Sequence, residues 1–403
     1  MKPIKMSALA LDYFTNTLND VLRFDMIELH DIKDCRELYF RPETIIKSSV
    51  GEFYDKNMEF FFKTAQKLCL YINENMRGTY SEVDLVSLVY SILPLATLSE
   101  RDSSDINAND FVGYNTLHYY EGQTGVLPEI VSLLKEVSKY SKFECPEDHT
   151  KYYKDKVNNL EKAAYAFCAR YAPQVDVAEV TRVLGDSAFL SEYMLAEIIY
   201  PWGTQPLKQL RMLIPSVPRD MRISLMKDYV GDLSVKGYPH PGNGFDVGYS
   251  FVYDILSDFS SYRYFKKERS EYPSNFKRQF WTPFFGFNIH QAFSDIKDNS
   301  LRNDIESCIK KSHILYTEIL KTVGLSYEAQ YAVLQGYRGR FCMSSNLFGM
   351  LDTLDILDSY EKTNMIPKNT MEIVDVIKKD IISSTPFVKE SGILDRYKNR
   401  KED

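Results

Sequence analysis

Apolar and aromatic residues fall on every second position from Phe245 to Ile255: Phe245, Val247, Tyr249, Phe251, Tyr253 and Ile255, with Asp246, Gly248, Ser250, Val252 and Asp254 between them. A period of two predicts a strand with one face on a core. The turn Pro241-Gly242-Asn243-Gly244 precedes it, a proline followed by residues that tolerate positive φ. At Ser257-Asp258 the period changes, and Asp258 or Ser260 is placed to cap a helix. That helix carries Arg263, Lys266, Lys267 and Ser270 on one face. A second alternating run, Tyr337 to Met343, sets Gly339 and Phe341 against Arg338, Arg340 and Cys342, a strand with its arginines on the polar face. Ser344, Ser345 and Asn346 then offer a cap for a helix through Leu347, Met350, Leu351 and Leu354.

Elsewhere the period is helical. Met58, Phe61, Phe62, Ala65, Leu68, Cys69 and Ile72 predict a helix over Glu52 to Asn73, and Ile305, Ile309, Leu315, Ile319 and Leu320 predict one over Arg302 to Thr322. An apolar segment from Asp84 stops near Pro94, and Asn107 to Asp110 precede a further helix with His118 on it. His118 is read first as a half-buried helix residue and second as a ligand contact. The middle of the chain predicts helices at Tyr152–Tyr171, Val177–Tyr200, Pro206–Leu213 and Pro218–Val230, with Trp202 plugging a joint between them.

The order helix, apolar segment, polar strand and capped helix thus occurs twice, with Pro94 echoed by Gln335. The expected organisation is α/β (α+β): two degenerate α/β units with mixed or antiparallel sheets, a truncated one at 1–150 and a second at 234–385, joined by a helical connector at 151–233, with a charged flexible tail at 386–403.

Composition narrows the function. With 403 residues, 26% charged and 44% hydrophobic, the chain is long enough for two or three cores and has no run of about 18 apolar residues to span a membrane. A formal net charge of −7 argues against a nucleic-acid polymer as partner. Against it stands one local excess, six Lys/Arg and two Glu between Arg263 and Arg278, suited to a small phosphorylated ligand or to a solvated surface. The six cysteines lack a C-x-x-C pair and predict reduced thiols in the cytoplasm, and the six histidines form no metal-ligand spacing.

The run Pro241-Gly-x-x-Phe-Asp-x-x-Tyr-x-Phe-x-x-Asp-Ile255, then Asp258-Phe-x-x-Tyr-Arg263, Lys267-Glu268-Arg269, Gln279 and Thr282-Pro283-x-x-Gly286-Phe287, resembles the flavin-dependent thymidylate synthase (ThyX) family, in its long form with two tandem copies. The resemblance implies FAD as cofactor and methylene transfer from methylenetetrahydrofolate to dUMP or a related pyrimidine deoxynucleotide, with hydride from NADPH. It also implies a homo-oligomer or a complex with a partner chain. Carried over by position, Lys267, Arg269 and Asn346 would hold the flavin; Arg263 and Gln279, with Arg338 and Arg340 near in sequence, would hold the nucleotide.

The sequence also departs from that pattern. Glu268 replaces a histidine, Phe348 and Leu357 stand where the family has arginines, Asp352 replaces another polar contact, and Asp34 to Tyr39 is a remnant of the family's Ser-Thr-Arg-Tyr element. The alternative expectation is therefore a catalytically inactive structural or regulatory subunit.

Overall fold

The computed structural model describes residues 4–10, 35–101, 129, 132–133, 150–172, 178–185, 187–232, 251–267, 274–324, 326–362, 366–384 and 389–395. The turn at Pro241, the strand positions before Phe251, Glu268, Arg269, the Asn107–Asp110 cap, His118 and the charged end from Arg396 lie outside the described residues.

Two helices of equal length form the centre: α1 (Gly51–Asn75) and, later in the chain, α8 (Asn299–Val323). Their apolar stripes are the ones the period predicts, with Phe61, Phe62, Leu68, Ile305 and Leu315 all buried. Each such side chain contributes about 1.5–3 kcal/mol by leaving water. The helices pack on each other, with Lys67 paired to Asp304 at 2.7 Å and the Cys308 thiol bonded to Thr64. Asp298 caps α8 through Oδ1, and Gly324 ends it in the left-handed conformation.

Strand β1 (Ile4–Ser7) pairs antiparallel with β2 (Leu98–Arg101), which follows α2 (Glu82–Ser91). The connector begins with α3 (Thr150–Tyr171), continues through β3 (Val180–Leu184) and then carries α4 (Ser187–Ile199), α5 (Leu207–Leu213) and α6 (Arg219–Val230). The segment read as helix from Val177 therefore opens with a strand. Val180, Thr181 and Val183 are β-branched, and β4 offers them an edge to pair with. Trp202 is also placed differently from the expectation: it is 88% exposed and plugs nothing.

The main sheet runs β3-β4-β6-β5, with β4 (Phe251–Asp258), β5 (Ser274–Arg278) and β6 (Arg338–Ser345) all antiparallel to their neighbours. The described fold is mostly helical around this small antiparallel sheet, an α+β arrangement. Tyr253, Ile255, Phe341 and Met343 face the core, where α7 (Phe259–Lys267) sets Tyr262 against Phe341 at 5.1 Å between ring centres. α9 (Leu347–Lys362) and α10 (Lys368–Ser384) close the domain, and Asp380 of α10 accepts the Tyr253 hydroxyl at 2.7 Å.

One local geometry occurs twice. Residues 93–100 and 333–340 have the same succession of bridge, turn, bridge and strand. The two copies meet: Pro94 bridges Leu334, the Leu95 amide donates to Val333 O at 2.8 Å, and the Gln335 amide donates to Leu93 O at 2.9 Å. The carbonyls also match, since Leu95 O accepts the Leu9 amide at 3.1 Å and Gln335 O accepts that of Phe259 at 3.0 Å. Pro94 thus corresponds to Leu334, one residue from the echo read in the sequence, and Gln335 corresponds to Leu95.

Candidate functional site

The end of β4 carries a carboxylate into the seam between the two copies. Asp258 Oδ1 accepts the Ser261 amide at 2.8 Å and so caps α7. Its Oδ2 accepts two side-chain amides, Asn288 Nδ2 at 2.6 Å and Asn369 Nδ2 at 2.5 Å.

From the other side, Ser81 caps α2 by accepting the Asp84 amide at 3.1 Å and donates its hydroxyl to Asp84 Oδ2 at 2.7 Å. Asp84 Oδ1 meets His290 Nε2 at 3.3 Å, while His290 Nδ1 accepts the Ala292 amide at 3.2 Å. Because Nδ1 accepts, the ring proton sits on Nε2 and is given to Asp84. Both nitrogens are therefore spent, and His290 orients Asp84 rather than acting as a base. Burial pushes the Asp84 carboxyl up, but hydrogen bonds from His290 and Ser81 outweigh it and leave the group below its ordinary value.

Between these groups lies a cavity of about 200 Å³ whose lining includes Asp84, Ser87, Asp258, Asn288, Gln335 and Asn369. A neighbouring cavity of about 380 Å³ shares Asn288 and Asn369 with it and is edged by Arg338 and Glu179. Among the described residues nominated from sequence, only Arg338 lines either of these two spaces. Its Nε donates to Phe285 O at 3.0 Å, and its Nη1 lies 3.4 Å from Glu179.

Arg340 lies on the same sheet face, 3.4 Å from Asp254 and over the Phe285 ring at 5.6 Å. Gln279 is exposed and joined to Arg340 through its backbone amide, which donates to Arg340 O at 2.9 Å. Arg263 is buried on α7, 5.8 Å from the centre of the Phe259 ring, on the opposite side of the sheet from Arg340. Asn346 is buried, and its Oδ1 accepts the Gly349 amide at 2.8 Å, a helix cap. Lys267 ends α7, and Arg269 lies outside the described residues. Arg263 and the pair Arg338 and Arg340 thus lie on opposite faces of one sheet.

No protein-family model matches the chain, and no curated protein matches it either. Among the described residues, no group of three His, Cys, Asp or Glu could hold a metal ion, and no helix is long and apolar enough to cross a membrane.

The residues that shape the cavity were not the ones nominated. One signal for them was present: Ser81-Glu82-Val83-Asp84 before Leu85 is a capping-box pattern. Nothing local to Asn288, Gln335 or Asn369 announces that they meet, because they come from three separate stretches of chain.

Proposed function

We propose that this chain is a catalytically inactive ThyX-like protein serving as a structural or regulatory subunit of a nucleotide-modifying assembly in the cytoplasm. In this reading 1–150 and 234–385 are two decayed ThyX-like units, 151–233 connects them, and 386–403 is a tail. The observation that carries it is the burial of Phe348 and Leu357. Both are fully buried in the core, at positions where the resembled family carries arginines. An arginine there would place a charge in apolar packing, at a cost of several kcal/mol.

Side-chain pairing at the nominated flavin contacts favours the inactive reading. Asn346 Oδ1 accepts the Gly349 amide, and Arg340 and Arg338 lie 3.4 Å from Asp254 and Glu179. The reading with FAD, NADPH and methylenetetrahydrofolate acting on a pyrimidine deoxynucleotide draws its support from the larger cavity at Arg338.

Absorbance of the purified protein decides between them, since bound flavin absorbs near ~450 nm. We expect colourless protein and no heat on calorimetric titration with FAD or dUMP. Flavin bound in stoichiometric amount, or dUMP binding abolished by Arg338→Ala, overturns the inactive reading.

A further inference from the structure

We infer that the 200 Å³ cavity in the seam is a binding site for a small, uncharged molecule bearing a carboxamide or lactam group. The inference does not rest on the proposed function.

Burial and pairing lead there. Gln335 is 2% exposed, and its Nε2 has no hydrogen-bond partner; Ser87, 8% exposed, leaves its Oγ without one. Asn369 gives its amide nitrogen to Asp258, which fixes the flip of the group and leaves Oδ1 buried and unpaired. All three residues line the one cavity. Unpaired buried polar atoms are costly, and native proteins keep few of them.

The repeated geometry sharpens the point. At the position equivalent to Gln335 the first copy has Leu95, fully buried, with the same backbone hydrogen bonds. The turn therefore needs no amide at that place, and a leucine satisfies it.

The charge state of the ligand follows from what is already satisfied. Asp84 accepts from Ser81, His290 and the Lys368 amide, and Asp258 accepts from Ser261, Asn288 and Asn369. Each carboxylate is already supplied with donors, which weakens its pull on a cation, and both oppose an anion. What remains open is an N–H donor on Gln335, a hydroxyl on Ser87 and a carbonyl acceptor on Asn369. A carboxamide presents the complementary carbonyl and N–H side by side, and the adjoining wall of Tyr90, Ile289 and Pro367 suits a flat apolar body.

Benzamide, benzoate and benzylamine share one skeleton and differ in charge, so saturation-transfer NMR on the full chain with these three probes tests the class. Benzamide should bind and the other two should not. Gln335→Met should weaken benzamide at least about fivefold, the loss of roughly one hydrogen bond. Without ligand it should raise Tm by about 2 °C, because an unpaired amide is removed. Ser87→Ala should also weaken benzamide, and it gives a second reading if Gln335→Met does not fold. No binding by any probe, binding of benzoate or benzylamine as strong as that of benzamide, or a lowered Tm in Gln335→Met each overturns the inference.

Discussion

Pro94 and Leu334, 240 residues apart in sequence, face each other as an antiparallel bridge at the junction of two like-folded segments. The hydrogen bonds flanking that bridge are reciprocal, and α1 and α8, one from each half, pack on each other. The halves therefore share one core, and damage to either should be felt by both. Phe61→Ala on α1 removes a fully buried ring and should cost about 3–5 kcal/mol. Chemical denaturation followed by both far-ultraviolet circular dichroism and tryptophan fluorescence should show one coincident shift, the fluorescence change reporting on Trp281, which is buried where Trp202 is already exposed. A fluorescence transition left unmoved would mean that the halves unfold separately.

Gly339 on β6 sits against the Trp281 ring. A Cβ there would lie 2.3 Å from two ring carbons, and the indole is 1% exposed and has no room to swing away. Gly339→Ala should destabilise by about 1–3 kcal/mol, the usual cost of overpacking. A urea midpoint unchanged from wild type would refute this placement of the indole.

Asp84 links α2 to the turn at His290, and its folded carboxyl lies below the ordinary 3.8. A group with a depressed folded pKa contributes stability that is present above its unfolded pKa and is lost as pH falls through the folded value. Asp84→Asn should accordingly lower stability at neutral pH and flatten the loss below about pH 4. Urea midpoints measured from pH 7 down to acid, in parallel for both proteins, give the comparison; identical acid limbs would argue against the His290 pair.

Glu129 shows the opposite sign. It is buried and accepts the Ser7 amide at 3.0 Å, the Ser7 hydroxyl at 2.8 Å and the Tyr331 hydroxyl at 2.7 Å. Burial nevertheless outweighs these bonds and raises the carboxyl above its ordinary 4.5. Its raised pKa favours the folded state most below the unfolded value, and that contribution fades as pH rises through the folded one. Glu129→Gln should cost less than about 1 kcal/mol at pH 7, whereas Glu129→Leu leaves three donors without a partner and should cost about 3 kcal/mol or more. Equal thermal shifts for the two variants would count against the bonded network.

Burial sorts the thiols. The Cys69 and Cys308 thiols are each pushed up to about 12 by desolvation, while Cys168 is exposed on α3. The thiolate is the reactive form. Native alkylation with iodoacetamide should mark Cys168 and spare Cys69 and Cys308 until the protein is unfolded. Mass spectrometry of the digested protein reads the sites, and early labelling of Cys308 would place it outside the α1–α8 contact.

Much of the framework was readable from local pattern. The stripes of α1 and α8 follow from apolar spacing, and the α7 cap at Asp258 follows from a change of period. The alternation on β6 likewise announced which side would carry Arg338 and Arg340. Such signals are local because a helix or strand exposes its faces at a fixed period whatever it packs on.

What needed the third dimension was partnership. Val180 to Leu184 become a strand because β4 leaves an edge open to them, and no spacing within five residues states that. Arg263 looks like any basic helix residue until α7 is laid on the sheet and buries it, and Trp202 looks like a plug until its joint proves open. Gln335 is an ordinary glutamine in sequence; only the meeting of four distant segments encloses its amide and leaves it unpaired. Side-chain chemistry is written residue by residue, but desolvation and pairing belong to neighbours that the chain brings together only by folding.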